Sequence, residues 1–378
     1  MNDVTRREFV GLTAMAGGLA MGGPGGPAVS APGSVDFSGD GIPLTPAQHA
    51  ALLARLAASS GFAADEYSRG GAVEALETQF AALLGKQAAV FMPSGTLANH
   101  LAVRSLAGPR RRVLVQEASH LYNDSGDCAQ QLSALNLVPL VPGRATFKWA
   151  DVEGVLERTA SGRVATAVGA ISIESPVRRL HGETCDWSAM SELCAEAREQ
   201  GIGLHLDGAR LFVAAAYSGR RPSEYAALFD TVYVSLWKCF NAAGGAVLAG
   251  PKDRLSELFH VRRMFGGALW GAWPYAAVAR HYAEGYLERL TAAVRVSEAL
   301  LAGLAGDGRF AVERVPNGTS LFRLTPRTKD LGAYRERVRV RGISIPAPDA
   351  SGFWLKVNET LAGASADTLI QAFRSALD

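Results

Sequence analysis

Leu204-His-Leu-Asp-Gly-Ala-Arg-Leu-Phe212 and, a little further on, Thr231-Val-Tyr-Val-Ser-Leu-Trp-Lys238 decide how this chain is read. Each begins with a short apolar run, and Lys238 follows Asp207 by 31 residues. That is the spacing of two consecutive parallel strands joined by one crossover. An acid then ends the first strand and an amine ends the second, so both face one crevice. An Asp that keeps a pyridine nitrogen protonated and a Lys that forms a Schiff base with an aldehyde are the two protein groups that pyridoxal 5'-phosphate (PLP) requires. The pair predicts a PLP site.

A third segment fits beside it. Met92-Pro-Ser-Gly-Thr-Leu-Ala-Asn-His100 follows an apolar run and opens a helical pattern. Small residues at Ser94, Gly95 and Thr96 let backbone N–H groups approach an anion at a helix start, which predicts a phosphate cradle. His120, in Glu117-Ala-Ser-His-Leu-Tyr-Asn-Asp124, falls at another strand end, where a flat ring can stack on the cofactor. Bland alternatives stand beside each reading. Asp207 alone reads equally as a helix cap paired with Arg210, His120 as a satisfied hydrogen-bonding residue, and Ala242-Ala-Gly-Gly-Ala246 as the turn that starts a strand.

Strand candidates at 88–92, 113–115, 137–141, 164–173, 202–206, 231–236 and 245–249 alternate with helical patterns such as Trp187 to Gln200. This predicts an α/β fold with a mostly parallel sheet. Thr45-Pro-Ala-Gln48 supplies a capping box and an early proline for a helix through about Ala58. Val73 to Leu84 is amphipathic and Gly85 stops it. After about Tyr275 the text turns helical, with weak strands near 319–324, 343–345 and 353–357 and a closing helix from Ala366, the pattern of a smaller α+β domain. The boundaries read as 1–31, 32–61, a large domain over 62–274 and a small domain over 275–378.

With 38 basic against 36 acidic residues there is no field to hold nucleic acid, and Arg110-Arg-Arg112 reads as a solvated loop. Cys128, Cys185, Cys194 and Cys239 lack ligand or CxxC spacing, so neither a metal site nor a disulfide framework is expected. The N-terminus differs in kind. Thr5-Arg-Arg-Glu-Phe-Val10 precedes an apolar Gly/Ala-rich stretch to about Gly23, then Val29-Ser-Ala31. This resembles a twin-arginine export signal, and the stretch is too short and Gly-rich for a comfortable membrane span. A soluble mature protein outside the cytoplasm is the expectation.

Asp65-Glu-Tyr, Phe91-Met-Pro-Ser-Gly-Thr-Leu-Ala-Asn99, Ala118-Ser-His120, Ile173-Glu174, the Leu204–Phe212 segment and Lys238 occur in the order found in the threonine aldolase and β-eliminating lyase family of PLP enzymes, which this chain resembles over about residues 35 to 300. The resemblance implies a fold-type-I architecture working as a homodimer or homotetramer with sites at the subunit interface. It also implies roles: Lys238 as the Schiff-base lysine, Asp207 on the pyridine nitrogen, His120 on the ring, Ser94, Gly95 and Thr96 on the phosphate, and Arg210 near the cofactor oxygen and substrate carboxylate. The chain departs from the aldolase pattern where Val177 takes the place of a His, and where Trp354 and Trp270 fall on two family arginines. Gly39-Asp40 replaces the early Ser-Asp.

The implied activity is that of a carbon–carbon lyase, an aldehyde-lyase cutting Cα–Cβ of a β-hydroxy-α-amino acid, with His120 or a water it positions as base for the β-hydroxyl. Loss of the carboxylate arginine leaves β-elimination, racemisation or decarboxylation of a bulkier substrate as a second reading. A non-catalytic PLP carrier is the third, and the intact Asp207 and Lys238 count against it.

Overall fold

The computed structural model describes residues 34–378. The arginine pair Arg6-Arg7 and the 1–31 boundary lie outside the described residues. The first strand, β1 (Val35–Asp36), belongs to a two-stranded pairing taken up below. Seven strands then form the central sheet: β2 (Ala88–Met92), β3 (Arg112–Gln116), β4 (Asn136–Leu140), β5 (Val168–Glu174), β6 (Gly203–Asp207), β7 (Thr231–Ser235) and β8 (Ala246–Gly250). Every residue of β5, β7 and β8 is buried. Central strands covered on both faces read as continuous apolar runs without alternation, and that is how they stand in the sequence.

The strand order is β2-β8-β7-β6-β5-β3-β4. All neighbours are parallel except β8, which is antiparallel to both β2 and β7. Two reversals cancel, so β2 runs in the same direction as β6 and β7. The carboxyl ends of β2, β6 and β7 therefore share one edge, where open α/β sheets place their ligands. The anticipated crossover between Asp207 and Lys238 is present, carried by helices Leu211–Ser218 and Pro222–Ala227.

Local signals hold where they were strongest. Helix Pro46–Ala57 carries the capping box, with Thr45 Oγ1 accepting the Gln48 N–H at 3.1 Å and Gln48 Oε1 accepting the Thr45 N–H at 2.9 Å. Helix Gly71–Leu84 ends on Gly85 in the left-handed region at φ +61°. Arg110-Arg-Arg112 is only partly loop, because Arg112 begins β3.

The C-terminal part is the expected α+β unit. Strands β9 (Phe310–Arg314), β10 (Leu321–Pro326) and β12 (Phe353–Lys356) form an antiparallel sheet in the order β12-β10-β9. Helices Tyr286–Ala305, Leu331–Val340 and Ala366–Ser375 accompany it. Strand β9 was not anticipated: it is an edge strand with one buried residue, Phe310, so it lacks the apolar alternation that marks a half-buried strand. The segment after residue 34 joins this unit too. Strand β1 pairs in parallel with β11 (Ile343–Ser344), and buried Phe37 sits edge-on to Phe322 and Phe373. From there the chain crosses back toward the large sheet, forming a strap over the end of the crevice.

Candidate active site

Lys238 leaves β7 on one short turn, Leu236–Cys239, and its side chain is buried. Among the described residues its amine has no hydrogen-bond or ion-pair partner. Burial, and next the positive charge of Arg210, push the amine below its ordinary pKa, against Asp207 and Asp40. An amine biased toward its neutral form is the nucleophilic form. It opens on a cleft of about 790 Å³, lined by the strap from Asp36 to Pro46, by His49, Ala50 and Leu53, and by Trp237 and Asn241.

Asp207 ends β6 and is buried. Its Oδ2 accepts the Asn99 side-chain N–H at 2.5 Å, and its Oδ1 accepts the Ala209 N–H at 3.2 Å. The alternative reading of Asp207 as a helix cap paired with Arg210 fails on both counts. The next helix starts at Leu211 with Arg210 in the cap position, and Arg210 forks onto Asp40 through Nε at 2.8 Å and Nη2 at 2.9 Å. Lys356 Nζ reaches the same carboxylate at 3.1 Å. Burial raises the pKa of Asp40, but Arg210 and then Lys356 outweigh it and hold the group to about 2. Arg210 is thus a carboxylate-binding residue whose fork is filled by the strap.

The helix Gly95–Ala107 starts where the cradle was expected, at the carboxyl end of β2. Ser94 is its cap, accepting the Leu97 N–H at 3.2 Å. The N–H groups of Gly95 and Thr96 have no acceptor among the described residues, as the first turn of a helix leaves them. The small residue at 95 has a further cause: a methyl there would collide with the Tyr233 hydroxyl. Ser235, three residues before Lys238, is buried at the end of β7 with its Oγ unpartnered among the described residues. Orphaned N–H and O–H donors gathered on the edge that also holds Asp207 and Lys238 suit an anionic cofactor head, so the residues present fit PLP.

His120 caps the third strand end, and Glu174 fixes it. Glu174 Oε2 accepts the His120 N–H at 2.6 Å, and Oε1 accepts the Arg178 N–H at 2.8 Å. Ser125 Oγ donates to the His120 carbonyl at 3.1 Å and lies 3.3 Å from Nδ1. Used that way, the hydroxyl oxygen accepts Nδ1–H and leaves Nε2 as the unprotonated nitrogen. Burial pushes His120 below its ordinary pKa, so the ring is a neutral base. Burial, with Asp207 adding to it, raises Glu174 to about 7.

Residues 45–324 match the model of the β-eliminating lyase family. The chain belongs to the β-eliminating lyase family. It is 30% identical over 218 residues to a low-specificity L-threonine aldolase of Candida albicans, covering 57% of this chain and 58% of the other. It is 32% identical over 258 residues to the aldolase vrtJ of Penicillium aethiopicum, covering 66% and 63%. A solved structure from Listeria monocytogenes, described as an L-allo-threonine aldolase, superposes with a TM-score of 0.75 at 28% identity, covering 91% of this chain and 95% of that one. The chain spans between 50% and 63% of the length of the first curated relatives it matches.

In this member of the family the positions that depart from the aldolase pattern are scattered. Val177 is fully buried and packs with Ala118, Ala145 and Leu180 beneath the His120 loop. Trp354 lies face to face with His181, ring centres 4.2 Å apart and planes within 4°, with Arg323 behind it. Trp270 stands 66% exposed, edge-on to Tyr67, and does not line the Lys238 cleft of its own chain. Of the other arginines, Arg178 and Arg179 pair with Asp124 and Arg262 is buried against the Phe91 carbonyl. The four cysteines are free, and burial raises Cys239 to about 12, so it is an inert packed thiol. Among the described residues no group of acidic, His and Cys side chains has metal-site geometry.

Sequence reasoning missed roles for Glu174, Ser125, Ser235 and Asn99. Ser235 had a signal in its place, three residues before the lysine on the same strand end. Glu174 and Asn99 act across 54 and 108 residues of chain, where only tertiary contact pairs them, while Ser125 reaches His120 from five residues further on.

Proposed function

We propose that this member of the β-eliminating lyase family is a PLP-dependent carbon–carbon lyase of the threonine-aldolase kind, cutting a β-hydroxy-α-amino acid into glycine and an aldehyde. The observation that carries the reading is the unpartnered amine of Lys238, depressed by burial and Arg210, on the same sheet edge as Asp207 and the free first-turn N–H groups of Gly95 and Thr96. Bound PLP supplies an electron sink at Cα, deepest when its pyridine nitrogen is protonated.

The chain's own residues do the rest. Asp207, held by Asn99, presents its carboxylate to the ring nitrogen. Ser94, Gly95, Thr96 and Ser235 hold the phosphate. Nε2 of His120 takes the proton from the β-hydroxyl, and Ser125 on Nδ1 keeps that tautomer. Arg210 receives the substrate carboxylate once Asp40 gives way or shares its fork, and the apolar wall of Leu44, Leu53 and Trp237 receives the β-substituent. With Leu44, Leu53 and Trp237 forming that wall, a bulky aromatic β-substituent is preferred over the methyl of threonine.

Steady-state kinetics of PLP-loaded protein on phenylserine and threonine, with aldehyde and glycine assayed, test the reading. Phenylserine should have the higher kcat/KM. A higher value for threonine removes the preference for a bulky β-substituent. Release of keto acid, amine or inverted amino acid without aldehyde replaces aldol cleavage by the other reactions at Cα. The same reading includes a homodimer or homotetramer and export through the twin-arginine pathway, the latter supported by Arg6-Arg7 and the apolar stretch that follows.

A further inference from the structure

Behind Asp207 runs a line of buried polar side chains, of which only Asn99 has entered the roles above. Asn99 Nδ2 donates to Asp207 Oδ2 at 2.5 Å, Asn99 Oδ1 lies 2.9 Å from His205 Nε2, and His205 Nδ1 lies 2.9 Å from Thr231 Oγ1. Asn99, His205 and Thr231 are fully buried, on the helix after the cradle and on β6 and β7. One assignment of protons satisfies every member. An ionised Asp207 only accepts, so the amide nitrogen of Asn99 must face it and the carbonyl must face His205. Nε2 of His205 then carries the hydrogen, and its Nδ1 accepts the Thr231 hydroxyl. Burial, against the pull of Asp207, holds the His205 pKa to about 4, so the ring stays neutral throughout the working range.

We propose that His205 and Asn99 are positioning residues that lock Asp207 as an oriented acceptor, and so set the protonation of the cofactor's ring nitrogen from behind the carboxylate. Without His205 the Asn99 amide is free to turn its oxygen toward the carboxylate. The negative charge would then be opposed instead of held. This rests on the reading of Asp207 as the partner of the pyridine nitrogen.

The test uses protein loaded with PLP labelled with ¹⁵N in the ring, and follows the nitrogen signal by NMR against pH. His205→Leu and Asn99→Leu should lower the pH at which the ring nitrogen loses its proton by about one to two units, the equivalent of one charge-assisted hydrogen bond. PLP affinity should fall at the same time. His205→Gln, whose amide nitrogen reaches the place of Nε2, should recover most of the shift. Thr231→Val, of nearly equal shape, should give a smaller shift in the same direction and decides the matter if the Leu variants do not fold. Folded variants whose nitrogen titrates within about 0.3 unit of wild type, well below the one-unit effect of a lost hydrogen bond, overturn the inference. Asp207→Asn separates the two levels: if it too leaves the signal unmoved, the role of Asp207 itself is wrong. If it alone moves the signal, only the relay is.

Discussion

Replacing Asp40 by Asn removes one charge and little volume, and its effect follows from the contacts of the strap. The carboxylate accepts two hydrogen bonds from Arg210 at 2.8 and 2.9 Å and a third contact from Lys356 at 3.1 Å, with all three side chains at most 18% exposed. Removing one partner of a buried ion pair costs about 3–5 kcal/mol, because the other charge stays buried and unpaired. The displaced pKa of Asp40 gives a lower figure. Burial works against the charge, but Arg210 and Lys356 bring the pKa from 3.8 to about 2, which corresponds to about 2 kcal/mol at neutral pH. That stabilisation is fully present above the unfolded value and is lost only as pH falls through about 2. The two figures bracket the expected loss for Asp40→Asn at about 2–5 kcal/mol, and the deficit should be equal at pH 5 and pH 8. Urea unfolding of the PLP-free protein at both values measures it. A second readout follows from Arg210, whose charge then faces Lys238 uncompensated: the amine should titrate lower still, seen as faster modification by an amine-selective reagent at pH 8. A variant within about 0.5 kcal/mol of wild type, the range of an ordinary surface change, refutes the argument that the strap is held by this charge.

Further outcomes are expected. Lys238→Ala should release PLP on dialysis and leave no adduct reducible by borohydride; a reducible adduct in that variant would place the reactive amine elsewhere. Glu174 has a raised pKa from burial and from Asp207, so its contribution is present below its unfolded value of 4.5 and declines as pH rises through about 7. Glu174→Gln should therefore gain on wild type in thermal stability from pH 5 to pH 8, and a constant difference would show that the group does not titrate there. Changing Arg6 and Arg7 together to Lys should strand active enzyme in the cytoplasm, measured by fractionation. Equal export would show that the tail is not a twin-arginine signal.

The large sheet was legible because buried parallel strands leave uninterrupted apolar runs, and because Asp207 and Lys238 each close such a run. Helix ends at Thr45 and Gly85 were legible for a local reason: a cap is chemistry between residues a few positions apart. Strand β9 was not, since an edge strand with one buried side chain has no pattern to show. The partnership of Arg210 with Asp40 was hidden for another reason. It spans 170 residues, and the nearer acid, Asp207, offered a plausible local partner that the fold assigns to Asn99 instead. The same holds for His205, which reads as one polar residue in an apolar strand until Asn99 and Thr231 are brought against it.

The strap has a mechanical side. Asp40 grips a cation of the large domain and one of the small domain at once, Arg210 after β6 and Lys356 on β12, while β1 is stitched to β11. The two domains are thus latched at one end of the crevice, and any rotation that widened it there would have to part a buried carboxylate from two cations. Breathing motions of this enzyme should hinge about the latch and be largest at the opposite lip. Loosening it by Asp40→Asn should raise hydrogen exchange in β11 and β12 together with the loop around Arg210, as one cooperative unit.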